Sequence, residues 1–292
     1  MNPETRPEIK RQPLLPIDWN SSELPTMPSI AQKLITLLCQ EEVETQQLCD
    51  LIASDPALTA RLLQISNSAL YSLSAEVTSI RQAVVLLGQQ EVIQLAISSL
   101  LAKRLLTVPE AIKSHAEKLW KHLMTTAVLA QDFEFDVEEP DLYTLSMLHD
   151  VGWLVLMSQA PTLFVSLFED KGRTLNELEA SWGVDHELWG AKLLEKWGLP
   201  EPFQITAYRH HHPFADTAPP KYLLIVSLAN FLANSMGNCL LDTEEPEPSD
   251  ALLERLGLDR QALYEMVQWA ISEKDKIDMK CALVSDITRT SR

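Results

Sequence analysis

SDPALTARLLQISNS, residues 54–68, reads as a helix with both ends marked. Asp55 is an N-cap residue directly before Pro56, which suits the first helical position because proline has no N–H to satisfy there. Leu58, Leu62, Leu63 and Ile65 follow at helical spacing. Asn67 and Ser68 stand where a helix gives out, and their short polar side chains suit a C-cap and the turn after it better than catalysis.

The same reading extends outward from this helix. Upstream, Ile30, Leu34, Leu37 and Leu38 share one face, and Leu48, Leu51 and Ile52 make a shorter stripe. Downstream, Ser79 caps a helix bearing Ile80, Ala83, Val84 and Leu87, and Gly88 ends it. A longer helix is expected from about residue 91 to 106. A second block opens at Pro109 with a helix to about Ala130 bearing His122. One continuous helix is expected to start near Pro140 and carry LYTLSMLHDVGWLVLM. Thr174 and Glu177 have capping-box spacing. Asp185 caps the helix that ends near Trp197-Gly198, Pro200 opens the next, and another spans about Lys221 to Met236. The final 40 residues read as two further helices and a frayed tail. The chain has only 8 glycines and no sustained alternation with turn signals, so the fold class is all-α. Three parts are expected: an extended, weakly ordered tail over 1–23, a helical block over 24–108, and a bundle over 109–292.

Composition narrows the function. The chain has 292 residues, 46% of them apolar and 22% charged, which is ordinary globular usage. Lysines and arginines number 24 against 41 aspartates and glutamates, a net charge of −17. Such a surface repels phosphate backbones, which excludes nonspecific nucleic-acid binding. No apolar run reaches the roughly 18 residues of a membrane helix. The start, MNPETRPEIKRQP, lacks the apolar core of a secretory signal. Cys39, Cys49, Cys239 and Cys281 form no CxxC pair, so a reducing cytoplasm is expected and a cysteine-based zinc site is not.

The chemistry rests on histidines. His122, the doublet His149-Asp150, His186, and the run His210, His211, His212 recur in regular order. Imidazoles and a carboxylate suit a borderline divalent metal such as iron, manganese, nickel or zinc. Two such ions would polarise a phosphoryl oxygen and stabilise a leaving oxygen. Each residue also has a plainer reading. His122 is a core histidine bonded to a carbonyl, or a ligand. His149-Asp150 is a buried ion pair pinning two helices, or a metal pair. His186 faces solvent, or binds metal. The three consecutive histidines are about 100° apart on a helix, so at least one belongs on the surface. Trp182, Trp189 and Trp197 make a packing stripe. Tyr71 packs with its hydroxyl satisfied. The acidic runs at 132–141 and 242–250 read as exposed loops or as a docking surface for a basic partner.

LPTMPSIAQKLITLL, SDPALTARLLQISNSALYSL, TSIRQAVVLLG, LHDVGWLVL and HELWGAKLLEKWGLP, together spanning most of residues 24 to 235, resemble the HD-related output domain family, HDOD, within the HD phosphohydrolase superfamily. The resemblance implies an all-helical, multi-helix HD-like bundle used in bacterial signalling. It assigns His122 to the first metal-ligand position, His149 and Asp150 to the signature doublet, His186 to the next histidine of the cyclic-dinucleotide branch, and His211 with His212 to that branch's histidine pair. The final aspartate of that branch is replaced by Asn230, and Trp153 stands where active members carry a lysine. Two functions remain open. One is a stand-alone regulatory module that binds a nucleotide messenger or a signalling protein. The other is a metal-dependent phosphodiesterase. Oligomeric state is not legible.

Overall fold

Asp55 extends its backbone and accepts hydrogen bonds from the N–H groups of Ala57 and Leu58, at 2.9 and 3.0 Å, so the helix begins at Pro56 as its sequence dictates. In this computed structural model, residues 14–285 are described except 41, 72–75, 134, 136–140, 171, 216–217, 242 and 244–245. The described residues form helices and no strands. They are α1 Ser29–Leu38, α2 Thr45–Ala53, α3 Pro56–Ser66, α4 Ile80–Leu87 and α5 Gln89–Leu106. There follow α6 Glu110–Asp132, α7 Leu142–Leu148, α8 Gly152–Gln159, α9 Pro161–Leu167 and α10 Leu175–Trp182. The remainder are α11 His186–Lys196, α12 Glu201–Arg209, a 3₁₀ turn Pro213–Ala215, α13 Lys221–Ser235, α14 Asp250–Arg255, α15 Arg260–Ser272 and α16 Lys274–Ser285.

The other expected caps form as well. The Ser79 hydroxyl accepts from Gln82 N, Asp185 accepts from Leu188 N, and Thr174 with Glu177 makes a reciprocal capping box. Asn67 holds the loop after α3 by a two-way bond with Val77, its amide donating to the Val77 carbonyl and its oxygen accepting the Val77 N–H, each at 2.8 Å. The Tyr71 hydroxyl donates to Glu91.

One core runs from Leu24 to Val284. The long helix α6 lies at its centre, packed by α5, α7, α13 and α16, while α11 packs on α8 and α12. The final helix α16 is tied back to α3 and α5. Lys280 pairs with Glu91 at 3.3 Å, and Arg61 donates to the Leu283 carbonyl. No single helix among the described residues is long and apolar enough to cross a membrane.

Three expectations change. The helix expected to run unbroken through residues 140–157 is two helices, α7 and α8, separated by His149, Asp150 and Val151. Bonds from Val151 N to Leu148 O, Trp153 N to Asp150 O and Leu154 N to Val151 O skip only three residues and tighten the chain there. The segment 14–23 is docked rather than loose: Leu15 N donates to Gly183 O at 2.7 Å, and Lys196 donates to the Trp19 carbonyl at 2.6 Å. The rest of the expected tail, residues 1–13, lies outside the described residues. The acidic run 242–250 is exposed, as expected, at Pro246, Glu247 and Asp250, with Pro248 buried, while Asp242, Glu244 and Glu245 lie outside the described residues. A short helix not expected from sequence, α14, starts at the end of that run. Of the other acidic run, Asp132 closes α6 and Asp141 caps α7, while Glu134 and residues 136–140 lie outside the described residues, as does the tail 286–292.

Candidate metal centre and pocket

The break between α7 and α8 turns the Asp150 carboxylate inward among imidazoles from three other elements. Its Oδ2 lies 3.4 Å from His122 Nε2 on α6 and 3.6 Å from His149 Nε2. Its Oδ1 lies 3.2 Å from both His186 Nε2, at the start of α11, and His210 Nε2, at the end of α12. Ligand atoms fall into two groups within 4.8 Å, one of Asp150, His186, His210 and His211, the other of His122, His149 and Asp150. All but His211 are buried.

Local sequence explains the placement. The left-handed Gly183 ends α10, and Asp185 then caps α11 so that His186 leads that helix. The α8 and α11 backbones meet at two glycines: a side chain at Gly152 would collide with the His186 carbonyl and lie 2.8 Å from Gly190 N. The His186 carbonyl therefore sits directly against the first turn of α8, just after Asp150.

The outer nitrogens of four of the rings are committed. His122 Nδ1 faces the Asn238 carbonyl at 2.9 Å, His149 Nδ1 the Ser146 carbonyl at 2.6 Å, and His210 Nδ1 the Ala207 carbonyl at 3.2 Å. His186 Nδ1 meets the buried Glu179 carboxylate at 2.6 Å. Carbonyls and carboxylates only accept, so these rings carry hydrogen at Nδ1 and, when neutral, aim an Nε2 lone pair inward. The inward lone pairs face one another, His122 to His149 at 3.3 Å and His186 to His210 at 3.4 Å, and they face a carboxylate. Asp150 Oδ1, though 3.2 Å from two ring nitrogens, makes no properly directed hydrogen bond. With all four rings neutral these are converging acceptors with no donor between them, which fits a bound cation, and outer nitrogens held by carbonyls and a carboxylate are how metal-ligating imidazoles are oriented.

Electrostatics follows burial and the neighbouring charges. Burial pushes the His149 imidazole down to about 3 against the pull of Asp150. Burial, with His211 next, pushes His210 down to about 3. His211 falls well below the usual range through burial and then His186. His186 goes the other way: burial opposes its charge, but Glu179 and then Asp150 hold it well above the usual imidazole value. Burial likewise opposes ionisation of Asp150, yet His149, His186 and His210 keep its carboxyl well below the ordinary carboxylate range.

Of the residues singled out in the sequence, His122, His149, Asp150, His186 and His211 meet. His212 does not join either group. It lines the adjoining pocket, and His210 occupies the place beside Asp150. That pocket, of about 410 Å³, has His122, Asp150 and His210 in its wall, together with Asn230 and Trp153. The Trp153 ring stacks on His186, 4.8 Å between centroids and 8° from parallel. Pro246–Ser249, from the acidic run, also line it. Sequence reasoning missed Glu179, Glu187 and Asn238. Glu187 accepts from His211 N at 3.3 Å, and a glutamate seven residues before His186 was a visible signal only for Glu179.

Comparisons with known proteins agree with the helical fold. A protein of Treponema pallidum (strain Nichols) with no assigned role is 26% identical over 234 residues, and the chain spans 44% of that relative's length. A crystal structure of a Marinobacter aquaeolei VT8 protein assigned to signal transduction superposes with a TM-score of 0.70 at 26% identity, covering 90% of this chain and 60% of that one. An HDOD domain protein of unknown function from Geobacter sulfurreducens gives a TM-score of 0.67 at 22% identity, covering 90% of this chain and 93% of that one. The profile of the HDOD domain matches residues 24–213, nearly two thirds of the sequence, and the chain belongs to the HDOD domain family.

Proposed function

We propose that this chain is a regulatory HD-related module whose pocket binds a nucleotide messenger or a signalling partner above a divalent-metal centre. The observation that carries the reading is Asp150, whose two carboxylate oxygens each face imidazole nitrogens already fixed from behind. Asp150, His122, His149, His186, His210 and His211 would hold metal, and His212, Asn230 and Trp153 would contact what enters the pocket. The block 24–108 and the bundle 109–292 would move as the two parts of the switch, in a reducing cytoplasm. Elemental analysis of protein purified without chelator, paired with a thermal-shift screen of bacterial nucleotide messengers, tests both parts. At least one divalent ion per chain and one stabilising messenger or captured partner are expected. A metal-free chain after incubation with manganese, iron and zinc would sink the metal reading.

A second reading, metal-dependent phosphohydrolase, draws on the pocket opening directly onto His122, Asp150 and His210. A divalent ion there would supply Lewis-acid polarisation of a phosphoryl oxygen. Two features weigh against it. Asn230 brings an uncharged amide where the superfamily pattern has a carboxylate, and no lysine or arginine lines the pocket among the described residues. Phosphate would then have no side-chain cation to hold it in place. Turnover of cyclic dinucleotides with iron or manganese, lost in His149→Ala, would establish this reading over the first.

A further inference from the structure

The two halves of the Asp150 cluster are built differently. On the Oδ1 side stand His186, His210 and His211, giving four donors with the carboxylate. Behind them lie two further buried carboxylates: Glu179, bonded to both the backbone N and Nδ1 of His186, and Glu187, bonded to His211 N. On the Oδ2 side stand only His122 and His149, giving three donors. Their outer nitrogens rest on neutral carbonyls, Asn238 and Ser146. A cation is already near this half, because the Lys274 ammonium donates to Asn238 Oδ1 at 3.0 Å, on the same residue whose carbonyl holds His122.

We infer that the cluster is two unequal metal sites, and that a divalent cation held by Asp150, His186, His210 and His211 binds first and more tightly than one held by Asp150, His122 and His149. Donor count, charge and second-sphere chemistry all point the same way. A carboxylate behind a ligating imidazole raises its basicity and fixes its orientation, and removing such a partner typically costs about 10- to 100-fold in metal affinity. The neutral carbonyls behind His122 and His149, like the one behind His210, give less, so the second-sphere difference is Glu179 behind His186, and the ammonium behind Asn238 opposes a second positive charge. Glu179 is therefore a positioning residue for the first site alone. The inference rests on the metal reading above.

The test is a manganese(II) titration of the chelator-stripped full chain, with free ion counted by electron paramagnetic resonance and folding checked by circular dichroism. Two classes of one ion each are expected, at least tenfold apart. Glu179→Gln weakens the tight class about 10- to 100-fold and leaves the weak class in place. His122→Ala abolishes the weak class and keeps the tight one, and it decides the matter alone should Glu179→Gln not fold. Two equal classes, equal weakening of both by Glu179→Gln, or loss of the tight class in His122→Ala overturns the inference while leaving metal binding intact. Absence of bound manganese in the folded parent chain overturns the metal reading and this inference together.

Discussion

At position 152 a single methyl group has nowhere to go. A Cβ at Gly152 would collide with the His186 carbonyl oxygen and fall 2.8 Å from Gly190 N, at the crossing of α8 and α11. Both obstacles are backbone, so relief requires the two helices to part. Gly152→Ala is expected to cost about 3 kcal/mol, the upper range for overpacking a close-fitted core. It should also loosen His186 relative to Asp150. Urea denaturation measures the first effect, and a change below about 0.5 kcal/mol would show that the helices yield freely. The residue scale is also where the sequence was most and least informative. His122, the His149-Asp150 doublet and His186 were legible because ionisable groups in apolar helical sequence need partners. The choice among His210, His211 and His212 was not. They begin at the C-cap of α12, where the regular 100° step no longer dictates direction. Asn238 was invisible because it acts through its backbone carbonyl, which every residue has.

Helix ends were legible for a simpler reason: a cap is a local bargain between one side chain and one or two N–H groups. Asp55, Ser79, Thr174 and Asp185 all make the bonds their positions imply. Removing the Asp55 carboxylate leaves the N–H groups of Ala57 and Leu58 to water, so Asp55→Ala should lower stability by about 1 kcal/mol. Chemical denaturation checks this, and no loss would mean that Pro56 alone sets the start of α3. The break between α7 and α8 was not legible. LYTLSMLHDVGWLVLM is apolar on every side, as suits elements whose described residues are almost all buried, and periodicity carries no phase when no face is polar. The interruption comes instead from tertiary demand, since α8 must bring Gly152 against α11. Likewise, proline spacing suggested a free arm over the first 23 residues, yet the docking of Leu15 and Trp19 depends on Gly183 and Lys196, far away in sequence.

Across the whole molecule, the cluster gathers ligands from α6, the α7–α8 break, α11 and α12, elements otherwise joined mainly by apolar packing. Residues beyond the family match contribute as well, through Asn238 behind His122 and Lys274 behind Asn238. A cation binding there would cross-link four elements of the native state, and an unfolded chain has no preformed equivalent. Linkage then fixes the size of the effect. Free metal at a hundred times its dissociation constant should stabilise the fold by about 2.7 kcal/mol. For a chain of this size that corresponds to a rise of about 5 °C in the unfolding midpoint. Differential scanning calorimetry with manganese, and then with excess chelator, should show the rise and its reversal. Asp150→Asn should show neither, because the one carboxylate shared by both donor groups is gone. An equal midpoint for the parent chain with manganese and with chelator would mean that the imidazoles serve only as hydrogen-bonded braces between helices.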